Sequence, residues 1–317
     1  MLLRTILKFF FLPLSFCLNL FFKKKKYLFL YISGNAIGDN ICATSIIASI
    51  YKKNRNKIFL YSCVPDVYKF NFKIFKNSHI RNSHVIYLMF KLCEGSNIVQ
   101  LKTKTYPYKN LHDYINNKKE KCKHLIEYVG GTFFIKQKLK MHKNEIFFSE
   151  KELMYFKKKF TFFDKEYALI NPTGKNSYTF VKSWGEKNYQ KLVNVFKFDW
   201  VQVGYEEDFS LTGTINLNGK TSLRELFFLV CYAKFVISDE GLLNHLASCF
   251  NVKSFVIMSG FTPVEHISYK NTFAISRSPQ INCAPCYLVK KKCYRDRKYC
   301  TDDISVENVR QNIIHNL

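Results

Sequence analysis

Three groups of residues have types and spacings that can do chemistry. The first is Phe235 to Phe250, FVISDEGLLNHLASCF. Phe235-Val236-Ile237 reads as the end of a buried strand and Ser238-Asp239-Glu240-Gly241 as a turn. Leu243, Leu246, Ala247 and Phe250 then share one face of a helix. A strand, an acidic-Gly turn and a helix bring backbone N–H groups and a positive dipole end to one point, which suits an anion, typically a phosphate. His245, on the first turns of that helix, reaches the same place. A structural reading is equally open: the turn carboxylates cap the helix and His245 is only half-buried.

The second group follows the apolar run Tyr27 to Ile32. Ser33-Gly34-Asn35-Ala36-Ile37-Gly38-Asp39 leads into a helix from Asn40 to about Lys52. Gly34 and Gly38 allow a tight turn and close approach of a ligand to the backbone. Asp39 sits at the helix N-terminus, either aimed into a cleft or serving as an N-cap. The third group is Cys283, Cys286, Cys293 and Cys300, a Cys-x2-Cys pair followed by two gaps of six. The spacing suits a tetrahedral thiolate site for zinc or iron, with disulfides or free thiols as the alternatives.

The elements that must position these residues alternate between strand and helix on both sides of about residue 160. That pattern predicts two α/β sheets. Strands are expected at 27–32, 57–62, 84–89, 200–203, 214–217 and 253–258, with another beginning at Tyr167. Helices are expected at 151–160, 186–196 and 304–314, and from Ser222 to Cys231 with Ser222 as the cap. Residues 94–145 are Lys/Asn-rich and resist assignment; Tyr106, Tyr108, His112 and Tyr114 there can face an acceptor or solvent.

With 317 residues, 47% of them hydrophobic, the chain is long enough for two cored domains. Its net charge of +25 implies an anionic partner: nucleic acid, an anionic membrane, or a phosphorylated or acidic substrate. No Arg/Gly-rich or alternating aromatic–basic motif is present, which makes nucleic acid the weakest of the three. Seven of the eleven cysteines lie scattered in apolar contexts and read as free thiols, as in a reducing compartment. The uncharged run from Phe9 to Phe22 is too short to span a bilayer, which takes about 20 residues, and Lys23 to Lys26 follow it at once. This favours a helix lying on the cytoplasmic face of the plasma membrane; the alternative is a helix packed on the protein itself.

In their order along the chain, these segments resemble glycosyltransferase family 9, the bacterial heptosyltransferases that build lipopolysaccharide cores. Gly38-Asp39, NPTG…KSW at 171–184, GKTSL at 219–223, DEGLLNHLA at 239–247 and GFTP at 260–263 each have a counterpart in the family. Gly185 stands where the family has proline, and one extra residue separates Gly241 from His245. The resemblance implies a GT-B fold, two Rossmann-like domains facing across a cleft. Residues 1–26 would then form a membrane-surface segment, 27–163 the acceptor domain, and 164–317 the sugar-nucleotide domain with its four-cysteine loop. It implies inverting, metal-independent transfer of a heptose from an ADP-sugar donor to an anionic glycolipid acceptor at the membrane. Asp39 is the implied base and Lys182 the cation on the diphosphate. Thr173, Glu207 (or Glu206), Asp239, Glu240, Gly241 and His245 are the implied donor contacts, with Gly34, Asn35 and Gly38 on the acceptor side. A protein O-heptosyltransferase and a non-catalytic glycan-binding member of the same fold are the alternatives.

Overall fold

Among the described residues of the computed structural model every strand pairing is parallel, and the strands form two separate sheets. The structure describes residues 12–32, 34–79, 92–93, 95, 97–101, 123–136, 138–140, 142–173, 179–289, 293 and 295–317. The expected strand at 84–89, and Tyr106, Tyr108, His112 and Tyr114, lie outside the described residues. Among those described, one compact unit takes 12–101 and 125–148, and the other takes 123–124 and 149–317.

Unit 1 opens with α1 (Leu12–Lys24) and β1 (Tyr27–Ile32). Then come α2 (Ile37–Asn54), β2 (Lys57–Ser62), β3 (Ile74–His79), β4 (Ile98–Gln100) and α3 (Leu125–Lys136), which is broken at Gly131. The sheet order is β3-β2-β1-β4. Leu28, Leu30, Ile58 and Leu60 are buried on one face, and Phe29 stacks on its register partner Phe59 on the other. α2 begins three residues earlier than its sequence suggests. Gly38 and Asp39 therefore belong to its first turn, not to the preceding loop. Helix α2 is buried continuously from Asp39 to Ile50, and its Ser49 and Thr44 hydroxyls bond the segment 140–145.

Unit 2 comprises α4 (Glu150–Lys159), β5 (Ala168–Asn171), α5 (Glu186–Val195), β6 (Trp200–Gln202), β7 (Thr214–Asn216), α6 (Leu223–Tyr232) and β8 (Phe235–Asp239). It continues with α7 (Leu242–Phe250), β9 (Lys253–Met258), β10 (Thr272–Ser276), the short α8 (Tyr299–Asp302) and α9 (Val306–Asn316). The order is β10-β9-β8-β5-β6-β7. Ser222 caps α6 through a reciprocal box with Glu225, as Ser-x-x-Glu predicts. α4 packs on α6 through Phe156 against Phe228, the Glu152–Arg224 ion pair and the Lys159–Glu225 pair. Val309 and Ile313 seat α9 in the same core as Trp184 and Phe235.

Among the described residues no helix is long and apolar enough to cross a membrane. Phe235 lies fully buried between Trp200, Phe198 and Phe255, with ring centroids 5.2–5.6 Å away. Phe235→Ala leaves a cavity there, so the urea midpoint should fall by an amount worth about 3–5 kcal/mol, with the fold retained.

Candidate functional site

In an open parallel sheet, ligands bind outside the C-terminal strand ends where the strand order reverses. In unit 2 that point lies between β5 and β8, which pair directly. β5 ends at Asn171, followed by Pro172 and Thr173; β8 ends at Asp239, followed by Glu240 and Gly241. The anion-suited turn read from sequence thus stands at the reversal point.

Helix α7 begins at Gly241 with no side-chain cap. The N-cap residue is thus a glycine and neither of the two carboxylates that precede it. Gly241 is extended, and a Cβ there would meet only the Asp239 carbonyl at 3.7 Å, so the approach to the helix end is open. Asp239 turns inward: its Oδ1 accepts from the Trp184 N–H (3.2 Å) and the Tyr189 hydroxyl (2.9 Å). Burial and the carboxylate hold the Tyr189 phenol well above its ordinary pKa, so it stays a donor. Asp239 thus ties the Lys182–Trp184 segment to the end of β8.

Glu240 points the other way. Its Oε1 accepts from Lys182 Nζ (2.7 Å) and from the Thr262 hydroxyl (3.0 Å); the lysine and glutamate side chains are 9% and 4% exposed. Oε2 is buried with no hydrogen-bond partner among the described residues, and neither has the Thr173 hydroxyl oxygen. Lys182 Nζ also lies 4.4 Å from the centre of the Phe261 ring. Lys182 is held from behind: Val181 packs with Phe261, Cys286 and Leu288, Lys298 Nζ bonds the Ser183 carbonyl (2.6 Å), and Trp184 Nε1 bonds that of Ile304 (2.8 Å). Gly185 has φ +100°, a conformation closed to the proline of the resembling family.

His245 is buried, with Nδ1 2.7 Å from the Tyr269 hydroxyl. Two further histidines join it, neither suggested by sequence spacing. The His124 ring meets Tyr269 edge-on, and His266 Nδ1 lies 3.1 Å from the Lys123 carbonyl oxygen. Burial pulls the pKa of His245 down to about 3 and that of His124 to about 4, with neighbouring histidines adding to both shifts; burial also lowers His266. Glu207 is exposed on the loop after β6, apart from these buried groups, and Glu206 beside it is exposed too.

In unit 1 the strand order reverses between β1 and β4. Gly34, Asn35 and Asp39 follow the end of β1 there. Asn40, which the sequence reading passed over, braces the loop by donating to the carbonyls of Gly34 (3.1 Å) and Ala36 (2.8 Å). Tyr68 in turn donates to the Asn40 carbonyl at 2.9 Å. Asp39 is buried in the first turn of α2, close enough to Tyr68 to raise its pKa further.

The ten described cysteines are free thiols. Cys283, Cys286, Cys293 and Cys300 lie near enough to influence one another: burial first, then the other three sulfurs, push the Cys286 thiol up to about 12. Among the described residues no cluster of three or more Cys, His, Asp or Glu has a geometry ready to hold a metal ion.

Histidines held neutral bind fewer protons folded than unfolded, where their pKa is about 6.5. Stability should therefore fall as pH drops from about 6.5 towards the folded values of about 4 and about 3. Urea midpoints between pH 7 and 4 should show this slope. A His124→Gln/His266→Gln variant should flatten it; an unchanged slope would exclude those two histidines as its source.

No family model and no curated protein sequence matches the chain. Solved structures do. The E. coli ADP-heptose lipopolysaccharide heptosyltransferase II is 15% identical, with TM-score 0.60, over 91% of this chain and 98% of that one. A family 9 glycosyltransferase from Veillonella parvula is 14% identical, with TM-score 0.58, over 78% and 85%. The iron-containing dodecameric heptosyltransferase TibC of enterotoxigenic E. coli, solved with ADP-D-β-D-heptose, is 12% identical, with TM-score 0.61, over 92% and 76%. At these identities the likeness is one of fold: the chain has the α/β GT-B fold of the glycosyltransferase family 9 heptosyltransferases.

Proposed function

We propose that the protein is an inverting glycosyltransferase that moves a heptose, or a related sugar, from an ADP-activated donor to a lipopolysaccharide core or another lipid-linked glycan. It would work at the cytoplasmic face of a bacterial plasma membrane. The observation that carries this reading is the buried Lys182–Glu240 pair beside the Gly241 start of α7, at the reversal point of a parallel sheet. The likeness to heptosyltransferase folds, one of them solved with ADP-D-β-D-heptose, supports the donor class.

In this proposal the diphosphate lies against the α7 N–H groups and Lys182. An ammonium has three N–H donors, of which Glu240 takes one, so Lys182 can hold its carboxylate and a phosphate together. Glu240 Oε2 then accepts from a sugar hydroxyl, which gives a carboxylate a use beside an anion. Thr173 donates to a phosphate oxygen. With Nδ1 accepting from Tyr269, His245 presents Nε2–H to the same group. Asp239 acts by holding the loop, and Glu207 takes the ribose. Asp39, in the first turn of α2 with Gly38 and next to the braced loop of Gly34 and Asn35, accepts the proton of the acceptor hydroxyl. The acceptor oxygen bonds to the anomeric carbon from the face opposite the leaving group, and ADP departs with the electrons of the broken C–O bond. Charge on the departing ADP is met by fixed donors, so no catalytic metal is invoked.

Cys283, Cys286, Cys293 and Cys300 would hold a structural zinc or iron ion, since four thiols along one segment are the right donor chemistry and TibC, a protein of like fold, contains iron. The ion would cross-link the segment that backs Lys182 and would supply no chemistry at the sugar.

Among ADP-, GDP- and UDP-sugars, only an ADP-sugar should raise the thermal midpoint. Asp39→Asn should lower kcat by about 10²–10⁴-fold while donor binding persists, and unchanged turnover would remove Asp39 as base. Elemental analysis should find one zinc or iron per chain, lost in Cys286→Ser/Cys300→Ser; a metal-free wild-type protein would refute the ion.

A further inference from the structure

Helix α1 is amphipathic in the reverse sense. Its half-buried residues are Ser15, Leu18, Asn19 and Phe22, at helical spacing along one face. Leu18 and Phe22 pack with Tyr31, Tyr61 and Ile98, while Asn19 bonds the Cys93 carbonyl (3.2 Å) and the Asn97 N–H (2.8 Å). Both polar side chains of the Leu12–Phe22 segment thus face the protein. The outward face carries Leu14, Phe16 (67% exposed), Leu20 (51%) and Phe21 (52%), then Lys23 to Lys26, all exposed. A helix lying on a water-facing domain turns its polar side out.

The apolar surface continues beyond the helix. Phe22, Phe29, Phe59 and Phe75 form a row of rings with centroids 4.5, 4.7 and 5.1 Å apart, running from α1 across the sheet to edge strand β3. Phe75 at its end is 62% exposed, with Lys57 Nζ 5.1 Å from its ring centre. Protruding apolar side chains flanked by lysines are two anchoring signals on one surface.

We infer that the outward face of α1 and the Phe75–Lys57 end of the sheet form one docking surface for an anionic bilayer, with α1 lying flat in the head-group layer. The 13 described residues of α1 are about 20 Å long, less than a crossing takes. The charge selects the occupant. Four adjacent lysines on a chain of net charge +25 repel a second copy and attract acidic lipids. The inference deepens the membrane location of the proposed transferase, but docking itself does not require transfer.

The test is co-sedimentation of the full chain with vesicles of phosphatidylcholine alone and with about one third phosphatidylglycerol. We expect binding to the acidic vesicles about tenfold or more tighter, weakened by salt. Phe16→Ser/Leu20→Ser/Phe21→Ser should lose it while keeping the unfolding midpoint and the ADP-sugar thermal shift; Phe75→Ser should lose part of it. Three results would overturn the inference. These are no binding to acidic vesicles, binding that survives the triple variant, and a concentration-dependent dimer of the wild type that the triple variant abolishes. Loss of the ADP-sugar shift in the wild type would instead count against the transferase reading and leave docking standing.

Discussion

A lysine ammonium taken out of water must keep a partner, and the packing around Lys182 follows from that constraint. Removing one member of a buried pair strands the other charge at a cost of about 3–5 kcal/mol. Glu240 supplies the partner, Thr262 steadies it, and Phe261 offers its ring face to the cation. The backbone that brings Lys182 there is tied by Asp239, Lys298 and the Trp184–Ile304 bond. An anion that entered would find a cation already desolvated and oriented, with little reorganisation left to make.

Both units place their chemistry-bearing residues by the same topological device. In each parallel sheet the chain builds outward from a first strand and then returns to its other side. The loop after that strand is thereby left at the point of reversal. In unit 1 this is the loop leading to Asp39; in unit 2 it is the loop leading to Lys182, opposite the Asp239–Gly241 turn. The loops differ in what stiffens them. Asn40 and Tyr68 hydrogen bonds brace the first, whereas the second adds an ion pair and an aromatic contact to its hydrogen bonds.

The histidine cluster and α1 show opposite treatments of polarity. Three imidazoles, two of them near Lys182, are kept neutral by burial, so they add hydrogen-bonding capacity without adding charge. Before its terminal lysines, α1 turns its Ser15 and Asn19 side chains to the protein and leaves its carbon outside, an arrangement that water does not favour.

Much of this was legible from local pattern. Ser222 announced the start of α6, continuous apolar runs announced β2, β8 and β9, and the strand–turn–helix at 235–250 is where the spacing put it. The edge strand β3, IFKNSH, was not legible, because half-exposed and polar residues erase the hydrophobic period. β4 was missed for its brevity, and α2 began early because Ile37 and Gly38 carry no capping signal. Within the site, the sequence marked Lys182, Glu240 and His245 but was silent on His124, His266 and Tyr269, which lie 21 or more residues from His245 and meet it only through folding. It could not divide Asp239 from Glu240 either. Adjacent carboxylates are alike in a string of letters, and only strand direction decides that one faces Trp184 and Tyr189 in the core while the other faces the lysine. By itself the sequence determined the alternation of elements, the acidic turn and the excess of positive charge. Which way each charged or apolar side chain points belonged to the tertiary structure, because burial is a property of neighbours far apart in the chain.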